Sequence, residues 1–114
     1  MTTAQARGAE AERRAAEYLE RNKLVVIERN FRVRGGELDL ICRDGRTVVF
    51  VEVRQRSRSD YGGAAASITA AKQARLILAA RHWLAAHGEA PCRFDCVLID
   101  GDNIQWLRNA FTAD

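Results

Sequence analysis

The sequence predicts an α/β domain in which a mixed β-sheet of about five strands is flanked by helices. Two apolar runs meet at Asp44-Gly45, which is a strong hairpin signal. Two Ala-rich segments carry apolar residues at helical spacing, one before the hairpin and one after it. A strand-like run precedes the hairpin and two more close the chain. The predicted order is therefore α-β-β-β-α-β-β, and a sheet covered by helices is its natural architecture.

Composition limits the class of protein. The 114 residues suit one domain, residues 1–114, and the net charge is only +3. Arg outnumbers Lys sixteen to two. Arg suits phosphate contacts, but we assign most of this excess to a GC-rich genome. No apolar run approaches the ~20 residues of a membrane span, and the amino terminus lacks a secretory apolar core. We therefore expect a cytoplasmic protein without a membrane partner.

The first helix is predicted from about Thr3 to Asn22, with an arc of small and apolar residues on one side. Glu12 lies within that arc, about one turn from Ala16. An acid aimed at the core side requires an explanation. Either Glu12 serves a functional site, or it is a buried-edge carboxylate paired with an Arg.

The next strand is predicted over residues 24–31, and a basic link ending in Gly35-Gly36 leads into the hairpin. The two glycines allow close backbone approach, either by a substrate phosphate or in a plain turn. If Asp44 and Gly45 are the central turn residues, Glu37 faces Glu52. One face is then nearly all apolar: Leu38, Leu40, Cys42, Thr47, Val49, Val51 and Val53.

The opposite face ends in a cluster of charge, formed by Glu37, Asp39, Glu52 and Arg54. Like charges facing each other repel, and crowded carboxylates raise one another's pKa. A divalent cation relieves both effects, and oxygen ligands without His or Cys favour Mg²⁺, Mn²⁺ or Ca²⁺ over zinc. The alternative is a solvated edge paired with nearby Arg residues. A three-residue turn would place the acids on opposite faces.

A polar segment of about a dozen residues follows Arg54 and contains Arg56, Arg58 and Tyr61. Basic residues with an aromatic ring beside an acid cluster suit a nucleic-acid backbone, although an ordinary solvated loop has the same composition. The second helix is predicted from a cap at Ser67 or Thr69 to about His87. Lys72 and Arg75 share one flank of this helix, and Arg75 is predicted to contact a nucleic acid.

Two smaller sets of residues have plainer interpretations. His82 and His87 are predicted to be surface or packing residues. Cys42, Cys92 and Cys96 are odd in number and lack the spacing of a zinc site. We therefore expect reduced, mostly buried thiols.

Three segments of the chain resemble a known family. They read GGELDLICRDGRTVVFVEVRQRS, DYGGAAASITAAKQARL and RFDCVLIDGDNIQWLRNAF. Asp39 followed by Glu52-Val53-Arg54 is similar to the PD-(D/E)xK signature of restriction-endonuclease-like nucleases, and the wider text resembles the bacterial YraN family. The resemblance covers about residues 7–111. It implies a restriction-endonuclease-like fold, related to that of Holliday-junction resolvases.

The resemblance also implies a chemistry. The protein would be a Mg²⁺- or Mn²⁺-dependent endonuclease acting on DNA, including branched DNA, and would work as a homodimer. Asp39 and Glu52, with Glu12 four residues after Gly8 and the Val53 carbonyl, would hold the metal. Glu37 would support these ligands or replace one of them.

The signature's usual Lys is Arg54 here, and a guanidinium cannot release a proton near neutral pH. Arg54 would therefore be an electrostatic partner, and Lys72 would supply an ammonium. Two alternatives remain open: a nucleic-acid-binding module without catalysis, and a protein-interaction domain on the same scaffold.

Overall fold

Two helices and five strands make up the structure, a computed structural model that describes residues 4–55 and 68–113. The predicted order α-β-β-β-α-β-β is confirmed. The elements are α1 (Ala4–Arg21), β1 (Val25–Val33), β2 (Gly36–Asp44), β3 (Thr47–Gln55), α2 (Ala70–His87), β4 (Cys92–Asp100) and β5 (Asn103–Phe111).

The five strands form one mixed sheet in the order β1-β2-β3-β4-β5. Only the central pair β3–β4 is parallel, and the other three pairs are antiparallel. Parallel neighbours need a long crossover connection, and α2 lies in the connection between β3 and β4. The mixed sheet that the sequence predicted is therefore confirmed.

The β2–β3 turn lies one residue later than predicted. Asp44 pairs with Thr47, so Gly45 and Arg46 are the central turn residues. Gly45 has φ +61°, a left-handed conformation that glycine adopts without steric cost. The prediction that Glu37 faces Glu52 was therefore wrong. Each β2 residue therefore pairs with the β3 residue two positions later than predicted, for example Leu40 with Val51 in place of Val49. Because side chains alternate between faces, a shift of two residues leaves the acids on the same face.

Both faces of the hairpin are buried, each beneath a different helix. Val49 and Val51 pack in a cluster with α1, whereas Val48 and Phe50 pack in a cluster with α2. The predicted single apolar face was therefore incomplete. Leu38 was also misplaced, because it packs with the α2 cluster and not with Leu40.

Both helices show the features that the sequence predicted: a buried face of small and apolar residues on α1 and an N-terminal cap on α2. The buried face of α1 is built from Ala11, Ala15, Ala16 and Leu19. Small alanines let this helix lie close to the sheet. Thr69 caps α2, with its hydroxyl accepting a hydrogen bond from the Lys72 N–H at 3.1 Å. Among the described residues, no helix is both long and apolar enough to cross a membrane.

The histidines and cysteines have largely the predicted environments. His87 stacks on Trp83 with 4.0 Å between the ring centroids, and His82 is exposed. All three cysteines are free thiols. Cys42 and Cys96 are buried, but Cys92 is exposed at the start of β4.

Candidate active site

The candidate site forms where β2 and β3 stop pairing through their main chains. The ladder ends at Leu40 opposite Val51. Continuing that register by one residue places Asp39 opposite Glu52. The Asp39 carboxylate accepts a hydrogen bond from the Val53 N–H at 2.8 Å. A side-chain carboxylate thus takes over the role of a main-chain acceptor between the two strands, and this fixes Asp39 beside Glu52.

Burial makes Glu52 unusual, whereas Asp39 beside it is half-buried. Glu52 is only 6% exposed. Burial first, and the charge of Asp39 second, raise the pKa of Glu52 to about 7. Burial also raises the pKa of Asp39, against the stabilising hydrogen bond from Val53. A side-chain hydrogen bond between Asp39 and Glu52 further lowers the pKa of Asp39. The charge of each carboxyl group therefore affects the protonation of the other.

Lys72 supplies the nearest described cation to this pair. Its Nζ lies 3.2 Å from Glu52 Oε1. The Thr69 cap fixes the first turn of α2 and so positions Lys72. Arg54 is half-buried beyond Glu52 on the same strand. The positive charges of Lys72 and Arg54 both oppose the rise in the pKa of Glu52. The structure thus brings all four predicted catalytic residues to one corner.

Glu12 reaches the same corner from α1. It is half-buried. Burial first and the charge of Asp39 second raise the pKa of Glu12, while a side-chain hydrogen bond with Asn30 lowers it. The sequence argument overlooked Asn30. Its φ of +54° within β1 is a conformation that Asn tolerates better than most residues. Asn is also a poor strand former, and its presence in a predicted strand could have indicated this irregular position.

Glu37 borders the acid pair and does not face Glu52. It is exposed and forms a 3.5 Å ion pair with Arg32 across β1 and β2. Its negative charge nevertheless raises the pKa values of both Asp39 and Glu12. A supporting position beside the ligands therefore suits Glu37 better than a place opposite Glu52.

The donor set of this corner fits a hard divalent cation. Within residues 4–55 and 68–113, no three Asp, Glu, His or Cys side chains stand close enough to form a ready metal-binding group. Glu12 as a third ligand therefore stays a prediction. Mg²⁺ commonly takes only one or two protein carboxylates and completes its shell with water and phosphate oxygens. Asp39 and Glu52 meet that requirement, because a cation would relieve the cost of placing the buried Glu52 beside a second acid.

The predicted nucleic-acid contacts are only partly described. Arg75 is exposed on α2, about one turn after Lys72. Arg56, Arg58 and Tyr61 lie outside the described residues. The space beside Gly36 was predicted to admit a substrate phosphate or to form a plain turn. A Cβ there would instead collide with the carbonyl oxygen of Arg75. Helix α2, and not free space for a phosphate, fills the gap beside this glycine.

A second buried acid, Asp95, was not singled out from the sequence. It is 1% exposed and accepts hydrogen bonds from Arg93 Nε at 3.1 Å, Trp106 Nε1 at 2.9 Å and Asn109 N at 2.9 Å. Arg93 also reaches Asp44 Oδ2 at 3.1 Å. These donors saturate the carboxylate, so Asp95 joins β4 to β5 and is not available to a ligand.

Comparison with known proteins identifies the family. Residues 11–99 match the model of the uncharacterised protein family UPF0102. The chain belongs to this family. The matched span of this UPF0102 chain contains Glu12, Asp39, Glu52 and Lys72, and the resemblance to the YraN family is thereby confirmed.

Relatives match the UPF0102 chain over nearly its whole length. A UPF0102 protein of Dechloromonas aromatica is 65% identical, with 98% of this chain and 93% of the relative covered. One from Nitrosomonas europaea is 58% identical, with 97% and 98% covered. One from Methylobacillus flagellatus is 55% identical, with 93% and 96% covered.

Proposed function

We propose that this UPF0102 chain is a Mg²⁺- or Mn²⁺-dependent endonuclease of the PD-(D/E)xK type that hydrolyses phosphodiester bonds in DNA. The observation that supports the proposal is the buried Glu52 beside Asp39, which the Val53 N–H holds at 2.8 Å, with Lys72 Nζ at 3.2 Å from Glu52. A buried carboxyl group beside a second acid is costly for stability. A divalent cation bound between the two acids would offset that cost, and it would also attract a phosphate.

The proposal assigns a role to each residue of the corner. Asp39 and Glu52, with the Val53 carbonyl, would hold the cation, and Glu12 would extend the ligand set. When bound, the cation would polarise the phosphate and activate water. Lys72 would hold a proton at Nζ and stabilise negative charge on the phosphate. Arg54 would add a permanent positive charge but could not act as a base.

A cleavage assay tests the proposal. Four-way junction, flap and single-stranded DNA would be incubated with Mg²⁺, Mn²⁺ or EDTA, with branched DNA as the first substrate. We expect metal-dependent cleavage that Asp39→Asn and Glu52→Gln each reduce by more than about 100-fold, since loss even of groups that only support metal ligands costs 10–100-fold. Glu20→Gln, an exposed change on α1, is the matched control. Cleavage that survives both site variants would contradict the proposal.

A second candidate function is a nucleic-acid-binding module without catalysis. Lys72 favours it, because its ammonium already neutralises part of the acid pair at 3.2 Å. This candidate predicts DNA binding that weakens steeply with salt and no cleavage with either metal. Metal-dependent turnover that requires Asp39 would exclude it.

The homodimer is a separate proposal. Symmetrical cutting of two strands needs two sites, which a pair of identical chains would provide. Light scattering coupled to size-exclusion chromatography, with and without junction DNA, measures the number of chains in the particle. A single chain under both conditions would contradict the proposal.

A further inference from the structure

A cavity of about 320 Å³ lies beside the acid pair, between the start of β2 and the first turns of α2. Three cationic side chains and one carboxylate meet apolar groups in its wall. Its main lining residues are Arg32, Val33, Glu37, Lys72, Arg75 and Leu76. This combination of charge and apolar surface is typical of a site for a small anionic ligand.

The positive charge of this cavity is only partly neutralised. Glu37 pairs with Arg32 at 3.5 Å, but both side chains are mostly exposed, so the pair is weak. Lys72 pairs with Glu52. Arg75 has no ion partner within the described part of the chain. A guanidinium in this state suits bidentate contact with a phosphate.

Close backbone packing holds the cavity wall in place. A Cβ at Gly36 would collide with the Arg75 carbonyl oxygen and approach Ala79 N to 3.2 Å. The start of β2 therefore lies directly against α2. Leu76, which is 3% exposed, anchors the same turn of the helix in the core. The Arg75 backbone is thus fixed relative to the strand that carries Asp39.

The cavity and the acid pair share residues. Lys72 lines the cavity and also reaches Glu52 at 3.2 Å. Glu37 lines the cavity too, and its charge raises the pKa of Asp39. A ligand in the cavity would therefore adjoin the two carboxylates.

We propose that this Arg32–Arg75 cavity binds one nucleotide of a single strand, next to the phosphodiester that is presented to the acid pair. The phosphate contacts Arg32 and Arg75, and the sugar lies against Val33. The identity of the strand rests on the proposed nuclease function. The volume of about 320 Å³ lies near the lower end of ligand pockets, which begins at about 300 Å³, and suits one nucleotide.

Fluorescence anisotropy with a labelled single-stranded oligodeoxynucleotide tests the assignment. Binding is measured in EDTA over a series of salt concentrations for the full chain. We expect Arg75→Gln and Arg32→Gln each to weaken binding about tenfold, as for loss of a charged hydrogen bond. Each should also reduce the slope of log affinity against log salt by about 0.7. Arg81→Gln, an exposed change further along α2, should leave both quantities unchanged.

Equal salt slopes for Arg75→Gln, Arg81→Gln and the unmodified protein would overturn the assignment. Competition then tests the sugar contact at matched ionic strength. A nucleoside 5′-monophosphate should displace the strand at lower concentration than inorganic phosphate does. Equal displacement by the two would refute a nucleotide site.

The test separates this inference from the nuclease proposal, because EDTA prevents metal-dependent cleavage. Binding that depends on Arg75, without cleavage under any condition, would leave the cavity assigned and the nuclease function refuted. Metal-dependent cleavage with no effect of Arg75→Gln on binding would support the nuclease function and refute the assignment of the cavity.

Discussion

The pH dependence of stability tests the environment of the buried Glu52 most directly. Burial and the charge of Asp39 raise the pKa of Glu52 from 4.5 to about 7 in the folded protein. Below pH 4.5 this carboxyl is protonated in both the folded and the unfolded chain, and its stabilising effect is fully present. As the pH rises, the unfolded chain loses the proton first, so the free energy of unfolding falls. The loss is complete above about pH 7.

The size of this effect follows from the shift. Each pKa unit corresponds to 1.36 kcal/mol, so a rise from 4.5 to about 7 lowers the free energy of unfolding by about 3 kcal/mol. Glu52→Gln keeps the shape of the side chain and removes the titration. We therefore expect the stability of the unmodified protein, relative to this variant, to decline by most of that amount between pH 5 and pH 8.

Urea unfolding followed by tryptophan fluorescence, in EDTA at several pH values, provides the measurement. Glu20→Gln, on the exposed side of α1, should run parallel to the unmodified protein. A difference between the unmodified protein and Glu52→Gln that is constant with pH, or that grows in the opposite direction, would refute the argument that burial controls this carboxyl.

Three further predictions follow from contacts described above. At pH 8, Mg²⁺ should raise the melting temperature of the unmodified protein but not of Asp39→Asn, as scanning calorimetry would show; equal shifts would exclude a metal at this corner. Asp95→Asn should lower the free energy of unfolding by about 3 kcal/mol, because it breaks a fully buried ionic network. Exposed Asp100→Asn is its control in urea titrations, and similar effects of the two would contradict this. Gly36→Ala should destabilise by about 1–3 kcal/mol, since its Cβ collides with the α2 backbone. Gly8→Ala, which meets open space on α1, should not destabilise, and equal losses of stability at the two glycines would count against the clash.

Local sequence signals predicted which elements form, but not the position of the central turn. Asp44-Gly45 indicated the hairpin, and Gly45 does occupy the turn. Asp44 instead belongs to β2, where Arg93 of β4 binds its carboxylate at 3.1 Å. That partner is 49 residues away, so no local pattern could reveal it. The two-residue difference between the predicted and the observed register keeps side chains on the same faces. The predicted grouping of Asp39 with Glu52 was therefore correct although the register was wrong.

The site was predictable where charge interrupts an apolar pattern. Asp39 and Glu52 stand out in strands of Leu, Val and Phe, and Glu12 stands out in an alanine arc. The same signal was present at Asp95, inside the run RFDCVLID, but its partners Trp106 and Asn109 come from another strand. Leu38 was misplaced for a related reason: regular alternation fails where Asp39 leaves the ladder, and only the folded sheet shows that break.

The two outer strands interrupt their own regularity. The pairing of β1 with β2 shifts register between Val26 and Glu28. The pairing of β5 with β4 shifts register between Phe94 and Cys96. Asn30 and Asn109 adopt positive φ in these strands, and Asp95 binds the Asn109 amide. Such kinks make a poor template for a stray extended chain. A small sheet open at both sides is thereby discouraged from growing into fibrils by edge-to-edge addition of strands.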